Sequence, residues 1–322
     1  MTNAKKMKNG SSPARVYGQD LMRGEHVVGE RRLTWVAGDR PRDELDDTSR
    51  KNLAAGRKPA SKSIRTQDWV LSMKGEDFTG LGAQQSGTSI FDPVLCELAY
   101  TWFTAPGGHI LDPFAGGSVR GIVAAYLGRR YTGIDLRPEQ IEANEQQAAA
   151  IVPGRSPRWI VGNSLDAIPA EDFDFIFTCP PYYDLEVYSD DPEDLSNKDT
   201  YEGFLVDYRA IIAQAVARLR DDRFACVVVG DVRDKKGMYR NFVADTIAAF
   251  RDTGMGLYNE AILVTAVGSL SIRVGKQFTS GRKLGKTHQN VLVFVKGDPR
   301  KATAWCGPVE VGLLEGADEV GA

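Results

Sequence analysis

An α/β domain with a seven-stranded, mostly parallel sheet and an antiparallel terminal hairpin is the fold class that this sequence predicts. Three observations carry the prediction. Short apolar runs recur at His109 to Leu111, Tyr131 to Ile134, Trp159 to Val161, Phe173 to Thr178 and Phe224 to Val229, with helical patterns between most of them. The first run enters a glycine turn that opens a helical pattern. The last two apolar segments, Leu257 to Val264 and Asn290 to Val295, have no helix-length pattern between them and are expected to pair as a hairpin at the sheet edge.

Taken in order, the chain begins with residues 1–66, rich in Lys and Arg with interspersed Pro, Gly and Ser. Such a composition predicts a basic, largely flexible arm, with one short ordered piece around Leu33 to Val36. Residues 67–300 hold the strands and helices of the main domain, and residues 301–322 are expected to form an acidic tail. The clearest helix runs from Tyr201 to Leu219, where Phe204, Tyr208, Ile211, Ala215 and Leu219 recur at three- and four-residue steps and form a core stripe. A further helix is expected around Asn241 to Phe250.

The most informative stretch is Thr178-Cys179-Pro180-Pro181-Tyr182-Tyr183, a rigid turn after a buried strand. Two prolines fix φ and remove two backbone donors, so Cys179 and Pro180 can present acceptors while Tyr182 offers a flat face. That combination suits a planar ring bearing an amino group. Upstream, the strand at His109 runs into Asp112-Pro113-Phe114-Ala115-Gly116-Gly117-Ser118 and then a helix. Glycines there let backbone amides approach a small ligand closely, as in dinucleotide-binding folds. Asp135, at the end of the next apolar run, stands at the spacing from which an acid reaches ribose hydroxyls.

At these residues the chain resembles the S-adenosylmethionine-dependent DNA amino-methyltransferases, which act on cytosine N4 or adenine N6. Asp112-Pro113-Phe114-Ala115-Gly116-Gly117 is similar to the family's DPFxG cofactor loop, and Cys179-Pro180-Pro181-Tyr182 to its (D/N/S)PP(Y/F) catalytic loop. The likeness spans roughly residues 88 to 297. Two positions depart from the pattern: Ser118 stands where another glycine is frequent, and Cys179 where the family has Asp, Asn or Ser. The resemblance implies a Rossmann-like class I methyltransferase fold with strand order 3-2-1-4-5-7-6, and a bacterial or phage enzyme of the restriction-modification kind. Motif order resembles a circular permutant of the group that normally begins with the catalytic half.

The resemblance also implies roles. Phe91, Asp92 and Pro93 would hold the methionine end of the cofactor, with an ordinary helix start as the alternative. Asp112, Phe114 and Gly116 would shape the cofactor loop, and Asp135 would bind ribose unless it merely caps. Asn163 or Asp166 would meet the adenine amino group, or form a simple turn. Cys179 and the Pro180 carbonyl would bind the protons of the target amine, Pro181 would hold the turn rigid, and Tyr182 would stack on an extruded base. Covalent attack by Cys179 is disfavoured because this cysteine precedes two prolines.

Composition bounds the rest. With 322 residues, 42% of them hydrophobic, and a net charge of −3, the chain can bury one large core. No apolar run reaches membrane-span length, and the polar N-terminus lacks a secretory core, so a cytoplasmic protein is expected. The four cysteines lie far apart and only three histidines occur, so neither a disulfide framework nor a bound metal is expected.

Nucleic-acid contacts are expected in two places. The basic arm is read either as a solvated tail or as a DNA-contacting segment. Arg273 to Lys286, with Lys276, Arg282, Lys283 and Lys286 among glycines, reads as a flexible loop that follows a phosphate backbone. The acidic stretch Asp184 to Asp199 would face away from DNA, close over the pocket, or serve as a solvated linker. The stretch from Gly297 to Ala322 is short for a recognition domain, so sequence reading is expected to fall to the arm, the loops, a partner protein or a second copy. RNA base methylation and a non-catalytic module that keeps the cofactor fold stand as alternatives.

Overall fold

A computed structural model describes residues 23–28, 31–36, 91–185, 189, 191–264 and 270–309. The chain divides into two compact units, Met1–Pro93 with Val264–Thr287, and Val94–Leu263 with His288–Ala322. The expectations placed on residues 1–22, 37–90 and 310–322 lie outside the described residues.

In the first unit, β1 (Arg23–Val28) and β2 (Arg31–Val36) form an antiparallel hairpin. The ordered piece expected at Leu33 to Val36 is thus the second strand of a pair.

The second unit is built on a sheet of seven strands: β3 (His109–Asp112), β4 (Arg130–Asp135), β5 (Arg158–Val161), β6 (Phe173–Thr178), β7 (Leu219–Val229), β8 (Gly256–Val264) and β9 (His288–Lys296). Their order is β5-β4-β3-β6-β7-β9-β8, which is the expected 3-2-1-4-5-7-6 when counted from β3. Strands β3 to β7 pair in parallel, and β9 runs antiparallel to β7. Gly256 lies beside Val295 and Glu260 bonds Asn290, so β8 and β9 also run in opposite directions. Both strands β3 and β6 are buried along their whole length, which explains why they read as unbroken apolar runs.

Helices cover both faces, as the pleat of β6 demands. Phe175 and Phe177 point to α1 (Pro93–Phe103), where the Tyr100 ring meets Phe177 edge-on at 5.2 Å. Ile176 points the other way, into a core shared with α4 (Tyr201–Arg218) and α5 (Phe242–Asp252). Phe204, Tyr208 and Ile211, the stripe expected of α4, are buried there with Phe242 and Phe250. Thr200 caps α4 by accepting from the Gly203 amide at 3.1 Å, which fixes where the helix begins. The remaining helices beside β4 are α2 (Val119–Tyr126) and α3 (Pro138–Ile151).

Two expectations need correction. The basic stretch from Arg273 is no flexible loop over its first part: Leu270–Gly281 forms helix α6. Leu270, Val274 and Phe278 stand at four-residue steps, and one internal glycine, Gly275, costs only about 1 kcal/mol against alanine. The helix ends in a left-handed residue, Arg282 (φ +52°), whose amide bonds the Phe278 carbonyl while the Lys283 amide reaches Gln277. Consequently β8 and β9 are not joined by loop alone. The second correction concerns the tail, which starts with an ordered helix, α7 (Pro299–Cys306), capped by Asp298. Ala302 and Cys306 are buried, and the Arg223 guanidinium lies 3.7 Å from the Trp305 ring.

Candidate active site at the carboxyl ends of β3 and β6

The two motif loops leave neighbouring parallel strands at the same edge of the sheet, and one side chain joins them. Asp112, fully buried at the end of β3, accepts a hydrogen bond from the Thr178 hydroxyl at the end of β6 at 2.7 Å. Its other oxygen takes bonds from Arg120 Nε at 2.5 Å and the Tyr131 hydroxyl at 2.7 Å. Four elements thus converge on one carboxylate.

Arg120 completes this hub. Its guanidinium also donates to the Phe114 and Ala115 carbonyls, so the cofactor-like loop is pinned from beneath. Burial works against the charge of Arg120, but the Asp112 carboxylate outweighs it and holds the guanidinium proton more tightly than water would. Burial likewise raises Tyr131 well above the usual phenol range, with Asp112 adding to the effect, so this hydroxyl remains a donor.

The loop itself is held from three sides. The Ala115 amide bonds the Ile134 carbonyl at 2.9 Å, Asn144 donates to the Gly116 carbonyl at 2.7 Å, and Ser164 donates to the Pro113 carbonyl at 2.7 Å. Gly116 adopts φ +50°, and a Cβ built on it or on Gly117 would meet nothing within 4 Å, so the turn borders open space. Ser118, the departure from the glycine pattern, has ordinary helical backbone and donates its hydroxyl to Gln147 at 2.6 Å. Serine therefore adds a tie to α3 without rerouting the loop. Gly133 permits the close approach of the loop to β4, since a Cβ there would stand 2.8 Å from that of Ala115.

Asp135 ends β4 beside this turn. One oxygen accepts from the Gly116 amide at 2.9 Å and the other from the Arg137 amide at 3.0 Å. Burial raises its pKa, against the lowering effect of these amides and of Arg137. Each carboxylate oxygen has a second lone pair, so capping the loop and accepting from a ligand hydroxyl are compatible. Asn163 forms a turn after β5, its side chain accepting from the Leu165 amide at 3.0 Å, with Asp166 exposed at its tip. An acceptor-only acid, a left-handed glycine and open space above it fit an adenosine-bearing ligand.

On the β6 side, Pro180 is buried while Cys179 and Tyr182 are half-buried. Cys179 Sγ lies 3.9 Å from the Tyr182 hydroxyl, and the thiol is within electrostatic reach of Arg120 and Tyr208. The other three cysteines are buried, and burial pushes the Cys306 thiol up to about 11. Tyr182 meets Phe242 edge-on at 5.9 Å and accepts from Gln289 Nε2 at 2.6 Å. Gln289 had no signal in the sequence, because β9 reaches the site only through the tertiary fold. Gln289→Leu removes a donor worth about 1 kcal/mol. The expected result is a several-fold loss of turnover with unchanged ligand affinity at the Gly116 loop, read by steady-state kinetics and calorimetry.

Behind the double proline the chain is braced by residues from the loop after β7. Tyr183 has φ +52° and is buried, with the Arg240 guanidinium 4.7 Å from its ring and 3.0 Å from the Asp184 carboxylate. In the acidic stretch two carboxylates serve local turns, Asp194 accepting from the Ser196 amide and Asp191 from the Glu193 amide, both at 2.8 Å, while Glu193 accepts from Asn163 Nδ2 at 3.4 Å. Within the first unit, Phe91 and Asp92 precede the helix that starts at Pro93, Lys276 lies on α6, and Arg282, Lys283 and Lys286 follow it. Among the described residues, no cluster of His, Cys, Asp and Glu is arranged to hold a metal, and no helix is long and apolar enough to cross a membrane.

Comparison with known proteins gives local similarity. The chain is 33% identical over 82 residues to the type II methyltransferase M.Cfr9I of Citrobacter freundii, which is 26% of either chain. It is 32% identical over 88 residues to the type II methyltransferase M.XycI of Xanthomonas campestris pv. cyanopsidis, covering 27% of this chain and 28% of that one. The matches thus span about a quarter of the length of these curated relatives. No family model matches. Among solved structures, a methyltransferase from Pyrococcus furiosus aligns with a TM-score of 0.45 at 14% identity, over 71% of this chain and 93% of that one.

Proposed function

We propose that this chain transfers the methyl group of S-adenosylmethionine to an exocyclic amino nitrogen of a DNA base, cytosine N4 or adenine N6. The observation that carries the proposal is the bond from Thr178 to Asp112, which sets the Gly116 turn and the Cys179-Pro180-Pro181-Tyr182 turn side by side on one sheet edge. Local similarity to two type II methyltransferases supports it.

When bound, S-adenosylmethionine supplies an electrophilic methyl group on a sulfonium. Asp135 and the Gly116–Gly117 backbone would hold the adenosine, with Asn163 or Asp166 at the adenine. An exocyclic amine is a weak nucleophile because its lone pair is delocalised into the ring. The Pro180 carbonyl and Cys179 Sγ accept hydrogen bonds from its N–H groups and favour tetrahedral nitrogen, and the proton released on methylation passes to water, so no strong base is needed. Pro181 keeps the turn stiff and Tyr182 stacks on the flipped base. Lys276, Arg282, Lys283 and Lys286 would contact phosphates.

The test is incubation with tritiated S-adenosylmethionine and duplex DNA, followed by mass spectrometry of the nucleosides. N4-methylcytosine or N6-methyladenine is expected; label only on structured RNA, or none on either nucleic acid, would overturn the assignment. Cys179→Ser keeps an acceptor at the same place and is expected to retain or raise kcat. A complete loss in that variant would point to chemistry specific to sulfur.

A further inference from the structure

We propose that the turn from Arg233 to Arg240 is a second nucleic-acid contact element. In it Lys235 and Lys236 hold backbone phosphates, while Met238 and Tyr239 press on bases next to the target. This deepens, and rests on, the reading of the chain as a nucleic-acid methyltransferase.

Four observations carry it. First, the element is ordered for display. Arg233 and Tyr239 form an isolated antiparallel bridge, the Gly237 amide bonds the Asp234 carbonyl at 2.9 Å, and Gly237 takes φ +91° to close the turn. Second, its one acid inside the turn is occupied. The Asp234 carboxylate accepts from the Met238 amide at 2.8 Å, and that bond, followed by others from Gly237 and Lys236, lowers its pKa. Lys235 and Lys236, both exposed, outnumber this one anion at the tip.

Third, large apolar groups sit beside these cations. Met238 is 67% exposed and Tyr239 46% exposed, and the Arg233 guanidinium lies 3.8 Å from the Tyr239 ring and holds it in place. A cation pair flanking a braced aromatic suits a phosphate backbone with stackable bases, whereas an apolar protein partner would gain nothing from the lysines. Fourth, the turn is fastened to the base-binding loop. Arg240, its last residue, pairs with Asp184 and lies over Tyr183 and Tyr201, and its amide bonds the Val232 carbonyl at 2.9 Å. A load on the turn is thus transmitted to the residues that follow Tyr182.

The test uses the full chain and a short fluorescein-labelled DNA duplex of mixed sequence, with affinity read by fluorescence anisotropy across a salt series. Lys235→Ala with Lys236→Ala is expected to weaken binding about tenfold and to reduce the slope of log affinity on log salt by about 2. Met238→Ala with Tyr239→Ala is expected to weaken binding about 5- to 100-fold with the slope unchanged. S-adenosylmethionine affinity should stay at the wild-type value in both. Wild-type affinity and slope in the two variants, beside a wild-type protein that methylates DNA, would overturn this proposal alone. A parallel loss of cofactor affinity would also overturn it, because the turn would then act through the fold. A wild-type protein that binds the cofactor but neither binds nor methylates nucleic acid would overturn the functional reading and this proposal with it.

Discussion

Asp112→Ala is expected to lower the unfolding free energy by about 3–5 kcal/mol, the cost of leaving a buried charge without its partner. Arg120, in the interior of the unit, would lose the carboxylate that sustains its charge, and the Tyr131 and Thr178 hydroxyls would lose their acceptor. Urea denaturation followed by circular dichroism reads the change. Asp112→Asn should cost less, because an amide oxygen still accepts one of these bonds. A loss below about 1 kcal/mol in the alanine variant would mean that water reaches Arg120 and that the hub is not sealed. The same substitution frees the Gly116 turn from the Tyr182 turn, so activity should fall further than stability alone explains.

Tyr182→Ala is expected to reduce kcat/KM for the nucleic-acid substrate about 5- to 150-fold, corresponding to ~1–3 kcal/mol of lost base stacking. Tyr182→Phe keeps the ring and its edge contact with Phe242 but removes the hydroxyl that accepts from Gln289. The loss in that variant should match the several-fold one expected for Gln289→Leu and stay below that of the alanine variant. Equal losses in the two Tyr182 variants would assign the effect to the hydroxyl instead of the ring. Cofactor affinity, measured by calorimetry, should not move in either case.

The strands were legible because buried parallel strands are apolar throughout, as β3 and β6 are. Local turn chemistry made the Gly116 and Pro180 loops equally plain, since backbone freedom and backbone restriction are written in single residues. Helix α6 was missed because its glycines imitate a loop, while the four-residue spacing of Leu270, Val274 and Phe278 was the signal to weigh against them. The turn at Asp234–Gly237 also left a trace, an acid and a glycine bracketing two lysines, whose exposure only the fold reveals.

By itself the sequence determined the strands and their order along the chain, the backbone of the two loops and the acid at the end of β4, because periodicity and turn propensity act over a few neighbouring residues. Only the tertiary structure decided which side chains meet: Asp112 with Arg120, Tyr131 and Thr178, Gln289 with Tyr182, and Arg240 with Asp184. The physical reason is that a buried charge or a buried hydroxyl must find its partner across strands, and strand order, not distance along the chain, sets which partner is in reach.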